Sequence, residues 1–153
     1  MPTIVSKLHI KIDPNKVITN KGLQPNGPVQ KRVDTECIRL MQPYIPMDQG
    51  VLTGAFQQTQ IGSGRIIQST PYARYQYYGE LYVDPQTGKG AFHDPISGRF
   101  WSRPNVQKIP SGRSLNYNKT RHPQAGPRWF DRMKADHIQD LLEAIKEEIK
   151  WIS

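Results

Sequence analysis

At 153 residues the chain is long enough for one domain with a real core and too short for two independent ones. A hydrophobic fraction of 36%, with 13 prolines and 12 glycines, describes a modest core surrounded by long loops. The formal net charge is +8, and the lone cysteine, Cys37, excludes an intrachain disulfide and a thiolate zinc cluster. Among apolar neighbours Cys37 reads as core filler. The sequence lacks a run of about eighteen apolar residues, and its N-terminus, "MPTIVSKLHIKID", alternates instead of following the charged, apolar and small-residue order of a signal peptide. A soluble protein that its own sequence does not export is expected.

In chain order, Thr3 to Ile12 alternates, with Ile4, Leu8, Ile10 and Ile12 on one face, which predicts a strand that Asp13 and Pro14 stop. After a turn-rich stretch, Asn26-Gly27-Pro28 reads as a helix start with proline in the first turn. Val29, Val33, Cys37, Leu40, Met41 and Tyr44 then recur at three and four, an amphipathic helix that Pro43 and Pro46 end. "MDQGVLTGAF" is expected to enter a strand, and "QQTQIGSGRIIQST" to form a hairpin turning at Gly62-Ser63-Gly64. The tyrosine-rich "STPYARYQYYGE" follows. Two turns of nearly the same spelling come next, "DPQTGK" from Asp84 and "DPISGR" from Asp94, each with proline to preset φ and glycine to accept a positive one. Both read as hairpin tips. "TGKGAF" lacks the earlier glycine and the following Ser or Thr of a phosphate-binding loop.

Between Asp94 and Asp131 the chain carries no acidic residue, yet Arg99, Arg103, Lys108, Arg113, Lys119, Arg121 and Arg128 all fall there. Ser102 to Gly126 shows no sustained period, so a long basic loop, about 99–128, is expected, with Ser102 to Gly126 mobile in the free protein. The terminal helix is the clearest element. Phe130, Met133 or Lys134, His137, Ile138, Leu141, Leu142, Ile145, Ile149 and Ile152 form an apolar stripe, and Asp136, Asp140, Glu143 and Glu147 a wet one. A basic loop before an acidic helix makes a polarised molecule, suited to attract phosphate or to dock head-to-tail on a copy of itself. The fold class is α+β: a single domain over 1–153, with a small, mostly antiparallel sheet, an early amphipathic helix, the basic loop and a C-terminal helix.

Candidate chemistry is sparse. His93-Asp94 invites a general-base reading, but it leads straight into a proline turn without a second ligand at metal spacing. Asp136 and His137 are adjacent on a helix and point about a hundred degrees apart. His9 belongs to the polar face of the first strand and His122 to a loop. None of the serines sits in a nucleophile elbow, and Cys37 lacks a histidine nearby in sequence. No enzyme, cofactor or metal is expected. Tyr72, Tyr75 and Tyr78 are spaced by three and line one side of a helix or tight turn, with Tyr77 beside them. Arg74 is the single cation between Arg65 and Lys89, so the cluster favours a protein interface over a base-stacking platform.

Three ordered motifs resemble the minor capsid proteins of tailed phages and prophages of Gram-positive bacteria, a family similar in turn to neck, or tail-completion, proteins. They are Pro46, Asp48, Gly50 and Leu52 before the predicted hairpin; Tyr72, Ala73, Tyr75 and Gly79; and Gly126, Pro127, Trp129 and Phe130 at the last helix. The resemblance runs from Gln30 to about Leu142. It implies a non-enzymatic virion protein of the head-tail connector, assembled in the bacterial host cytoplasm into a ring, with a hexamer as the expectation. Each copy would give an extended loop to its neighbour. Implied partners are other copies, an adjacent connector or head-closure protein, and a tail terminator or tail tube protein. Non-specific contact with DNA in the channel is also implied, and a membrane is not. Tyr72, Ala73, Tyr75, Tyr78, Gly79, Trp129 and Phe130 would be fold or subunit contacts, with Tyr72 and Trp129 packing and Gly79 allowing close backbone approach. The seven cations from Arg99 to Arg128 would face the channel or a partner. Alternatives are a tail terminator, another minor capsid role, or a sequence-independent nucleic-acid-binding module on the basic loop.

Overall fold

The computed structural model describes residues 13–47, 50 and 52–152. The strand expected over Thr3 to Ile12 and the motif residue Asp48 lie outside them. Among the described residues the fold is α+β, in two parts: a helical body with the core, and an arm of short strands.

The body begins where the sequence suggested a stop. Asp13 and Pro14 start helix α1 (Pro14–Asn20): the Asp13 carboxylate accepts the amides of Asn15 (3.0 Å) and Lys16 (3.4 Å), and Pro14 takes the first helical position. Helix α2 (Pro28–Met41) follows as expected, and a 3-10 turn over Gln42–Tyr44 ends it. Helix α3 (Ala73–Tyr78) holds the tyrosines, and helix α4 (Trp129–Ile152) closes the chain. The core lies between α2 and α4, where Cys37, Leu40, Met41 and Tyr44 meet Trp129, Met133 and Leu141, with Ile45, Leu52 and Ala73 closing its edge. Removing each large apolar side chain from water contributes roughly 1.5–3 kcal/mol. Cys37 is buried here, where burial first, then the charges of Asp34 and Glu36, push its thiol pKa up.

The stripe predicted on α4 is only partly used. His137 leaves helical geometry (φ −123°, ψ 18°), its Nδ1 lying 2.6 Å from the Asp140 carboxylate, and this kink rotates the two halves of the helix. Phe130, Ile138 and Leu142 remain more than a third exposed. Among the described residues, none of the helices is long and apolar enough to cross a membrane.

The strand and hairpin expected between Met47 and Thr70 are absent from its described part. This segment is irregular and is held by side chains. The Thr59 hydroxyl donates to the Ile67 carbonyl (3.1 Å) and accepts its amide (2.9 Å), where a ladder would use backbone. At the turn, the buried Asp34 carboxylate of α2 accepts the amides of Gly62 (2.7 Å) and Gly64 (3.1 Å) while Gln30 Nε2 donates to it at 2.8 Å.

The arm corrects the long-loop expectation. Strand β1 (Glu80–Val83) pairs antiparallel with β4 (Ile109–Ser114), inside the stretch expected to be mobile. Tyr82 faces Pro110 and Val83 faces Ile109, with an irregularity between Glu80 and Tyr82. Strands β2 (Phe92–His93) and β3 (Phe100–Trp101) form a second antiparallel pair. The rest of the basic segment is anchored too: Leu115 N donates to Gly79 O (2.9 Å), the Tyr117 hydroxyl to Gln76 O, and Gly126 N to Tyr44 O (3.2 Å). Ala125 is fully buried and His122 Nδ1 lies 2.7 Å from Ile45 O.

Candidate functional site

The tyrosine helix is built so that one face packs and the other looks outward. Ala73 and Tyr77, four apart, turn inward: Ala73 is buried, and the Tyr77 ring meets the indole of Trp129 edge-on at 4.9 Å while its hydroxyl donates to Asp131 (3.1 Å). Burial, then that hydrogen bond, push the Tyr77 pKa up. Trp129 is itself buried and donates its indole N–H to Gln68 Oε1 at 2.9 Å. Tyr72, Tyr75 and Tyr78 occupy the outer face and are 41–57% exposed. Tyr72, expected to pack, is therefore not a core residue of the single chain; Tyr77 takes that place, and the Ala73–Tyr77 spacing was the signal for it.

Gly79 ends the helix with φ +75°, the left-handed conformation of a helix C-terminus. A Cβ there would lie 2.9 Å from Pro127 Cβ and 3.0 Å from the Tyr117 hydroxyl, so the chain passes close on both sides. Pro127 and Arg128 complete the contact: Arg128 N donates to Tyr77 O (2.8 Å), which holds Arg128 at φ +49°. Its guanidinium sits 5.6 Å from the Tyr78 ring and 3.8 Å from the Asp131 carboxylate. Beside the tyrosines, between α3 and the β1–β4 pair, runs an open groove of about 790 Å³ whose walls include Tyr72, Arg74, Tyr75, Tyr82 and Lys108. Tyr75 and Tyr82 meet edge-on across 4.6 Å.

Besides Arg128, the six other cations of the basic segment divide in two. Arg103, Lys108 and Arg113 brace the first turn: Arg103 forms a two-pronged pair with the buried Asp84 carboxylate (2.6 Å on each side) and donates to Gln86 Oε1 (2.7 Å). Lys108 Nζ donates to Gly90 O, and Arg113 to Gly88 O at 2.9 Å. The Arg103 guanidinium beside Asp84 holds its carboxyl far down, at about 2. Arg99, Lys119 and Arg121 are exposed. Their side chains have no hydrogen bond or ion pair to another described residue.

Both turns close alike. Asp84 N donates to Lys89 O and Asp94 N to Arg99 O, each at 2.9 Å, while Gly88 N and Gly98 N donate back to Asp84 O and Asp94 O, each at 2.8 Å. Only the second closes a two-strand hairpin, since β1 takes β4 as its partner. Asp94 spends its carboxylate on the Ser97 hydroxyl (2.6 Å) first and then the Ile96 amide (3.0 Å), which keep its pKa low. His93 instead packs against Phe100 at 4.9 Å, so the two do not form an acid–base pair. Among the described residues, none of the His, Cys, Asp and Glu clusters is placed to hold a metal.

The second hairpin is a two-sided aromatic ribbon. Phe92 stacks on Trp101 (4.6 Å, 23°) on one face and His93 meets Phe100 on the other. Among the described residues nothing covers its tip, where Ile96 is 96% exposed, Phe100 74% and Trp101 52%. The comparisons with known proteins meet this geometry at the level of family alone. None of the curated proteins and none of the solved structures matches the chain. The family model described as Minor capsid protein matches residues 29–111, from helix α2 through most of the arm. It takes in the first two sequence motifs, and it ends before the third at Gly126–Phe130. With more than half of its length matched, the chain belongs to the minor capsid protein family.

Proposed function

We propose that this minor capsid protein is a non-enzymatic component of the virion that joins the DNA-filled head to the tail, as a connector ring built from copies of itself. The observation that carries the reading is the outward tyrosine face of α3 together with the exposed aromatic ribbon: large apolar surface, rigid side chains and polar tips, left uncovered by a small core. Such surface is what subunit contacts are made from. Tyr72, Tyr75 and Tyr78 meet a neighbouring subunit, while Ala73, Gly79 and Trp129 hold the platform that presents them. A hexamer remains the expected ring. Adjacent connector or head-closure proteins, and a tail terminator or tail tube protein, are the further partners.

Electron microscopy of particles assembled without this protein tests the reading. Packed heads beside separate, finished tails are expected. Tails of uncontrolled length would assign it to tail termination, and intact virions would overturn the connector role. A second reading, sequence-independent nucleic-acid binding, is favoured by Arg99, Lys119 and Arg121, which stand exposed on the basic segment. It requires that the isolated protein bind duplex DNA with an affinity falling steeply as salt rises.

A further inference from the structure

Two surfaces of this chain are complementary and do not meet within it. The first is the β2–β3 hairpin, whose exposed Ile96, Phe100 and Trp101 are accompanied by Lys89 and Arg99. A two-stranded ribbon with aromatic residues on both faces gains little from standing alone in water. The second lies on the C-terminal half of α4. Asp140, Glu143, Glu147 and Trp151 follow one another at spacings of three, four and four, so they share one face of the helix. All four are exposed, and the indole at the end of the stripe is 86% exposed. Asp140 is engaged by His137, whereas Glu143 and Glu147 form no ion pair with another described residue. No hydrogen bond or ion pair between described residues joins the hairpin to α4.

We infer that the acidic stripe of α4, ending in Trp151, is the docking surface for the basic aromatic hairpin of a second copy of this chain. Charge complementarity selects the occupant: Lys89 and Arg99 come to Glu143 and Glu147, and the exposed aromatic residues of the hairpin come to the Trp151 indole. Because the two patches differ, the contact is head-to-tail, and it closes a ring when the rotation between copies divides a full turn. The inference deepens the ring reading proposed above and rests on it.

The test uses the full chain, with p-benzoylphenylalanine in place of Phe100 for photo-cross-linking and sedimentation velocity for self-association up to about 1 mM. The expected result is a cross-link between copies that maps to residues 140–151. Charge reversal at either surface, Glu143→Lys with Glu147→Lys or Lys89→Glu with Arg99→Glu, weakens self-association about tenfold. Mixing the two reversed proteins restores it to within about threefold, a rescue that misfolded variants would not give. Monomer throughout the concentration range, cross-links outside α4, lack of rescue, or preferential cross-linking to added duplex DNA would each overturn the inference. Those outcomes leave the head-to-tail joining role standing, because that role is read from particles lacking the protein; intact virions would remove it independently.

Discussion

Replacing Asp34 tests how the irregular segment after α2 is held. The carboxylate accepts three hydrogen bonds, from Gln30 Nε2 at 2.8 Å and from the amides of Gly62 at 2.7 Å and Gly64 at 3.1 Å. Asp34→Ala leaves those two glycine amides without an acceptor, and the Gly62 site is buried. At about 1–3 kcal/mol for each stranded donor, the substitution costs about 3–4 kcal/mol. That is a large share of the 5–15 kcal/mol typical of a domain. Asp34→Asn is the informative partner. Its amide can turn so that the oxygen faces the glycine amides and the NH2 faces Gln30, whose own amide turns to offer Oε1. Only charge assistance is lost, and about 1 kcal/mol is expected. Urea unfolding followed by far-ultraviolet circular dichroism of the helices gives both numbers. A loss below about 0.5 kcal/mol for Asp34→Ala, or equal losses for the two variants, would refute the reasoning.

Gly79→Ala forces a side chain into φ +75° and against Pro127, so a loss of about 2 kcal/mol and a fall in Tm of roughly 4–8 °C are expected. Gly88→Ala, at φ +66° with open space around it, is expected to lose only about 1 kcal/mol; thermal unfolding compares the pair. Asp84 has its pKa lowered from 3.8 to about 2, mainly by Arg103. A depressed carboxyl contributes stability above its unfolded value and loses it as pH falls through the folded one, so the first turn is expected to stay clamped at pH 4 and release towards pH 2. The Asp84 carboxyl resonance followed by NMR reads this, and Arg103→Ala should move its titration back towards 3.8. Cys37, buried and with its thiol pKa raised, is expected to react with a thiol reagent at pH 8 only as fast as the protein opens; rapid labelling of the folded chain would contradict the core placement.

The helices α2 and α4 were legible in the sequence because each has a face to bury, and burial writes a period into the residues. Strand β4 was not: "IPSGRS" lacks alternation because the arm has no core for one face to meet, and its pairing with β1 is decided by backbone and by cations. The same limit hid the fate of the basic residues. Arg103 and Asp84 lie nineteen residues apart, so a stretch without acidic residues looked uncompensated although its partner stood upstream. Asp13-Pro14 is a local signal that fits a strand end and a helix start equally well, and the amides that Asp13 accepts reveal the helix start. In the candidate site, the spacing of Tyr72, Tyr75 and Tyr78 put them on one side, as the structure does. The direction of that side was not in the spacing, because Tyr77 and Trp129 meet across fifty-two residues of chain.

The arm holds its shape through turns closed by their own Asp, Ser and Thr side chains and through three cations, with few large apolar groups inside. Its length is therefore uncoupled from the packing of α2 against α4. Adding residue pairs between β2 and β3 would carry the tip outward by roughly 3.3 Å per residue in each strand while leaving every core contact in place. A lineage could thus refit this protein to a wider or narrower neighbour by editing one surface segment, with natural selection acting on reach while foldability stays fixed.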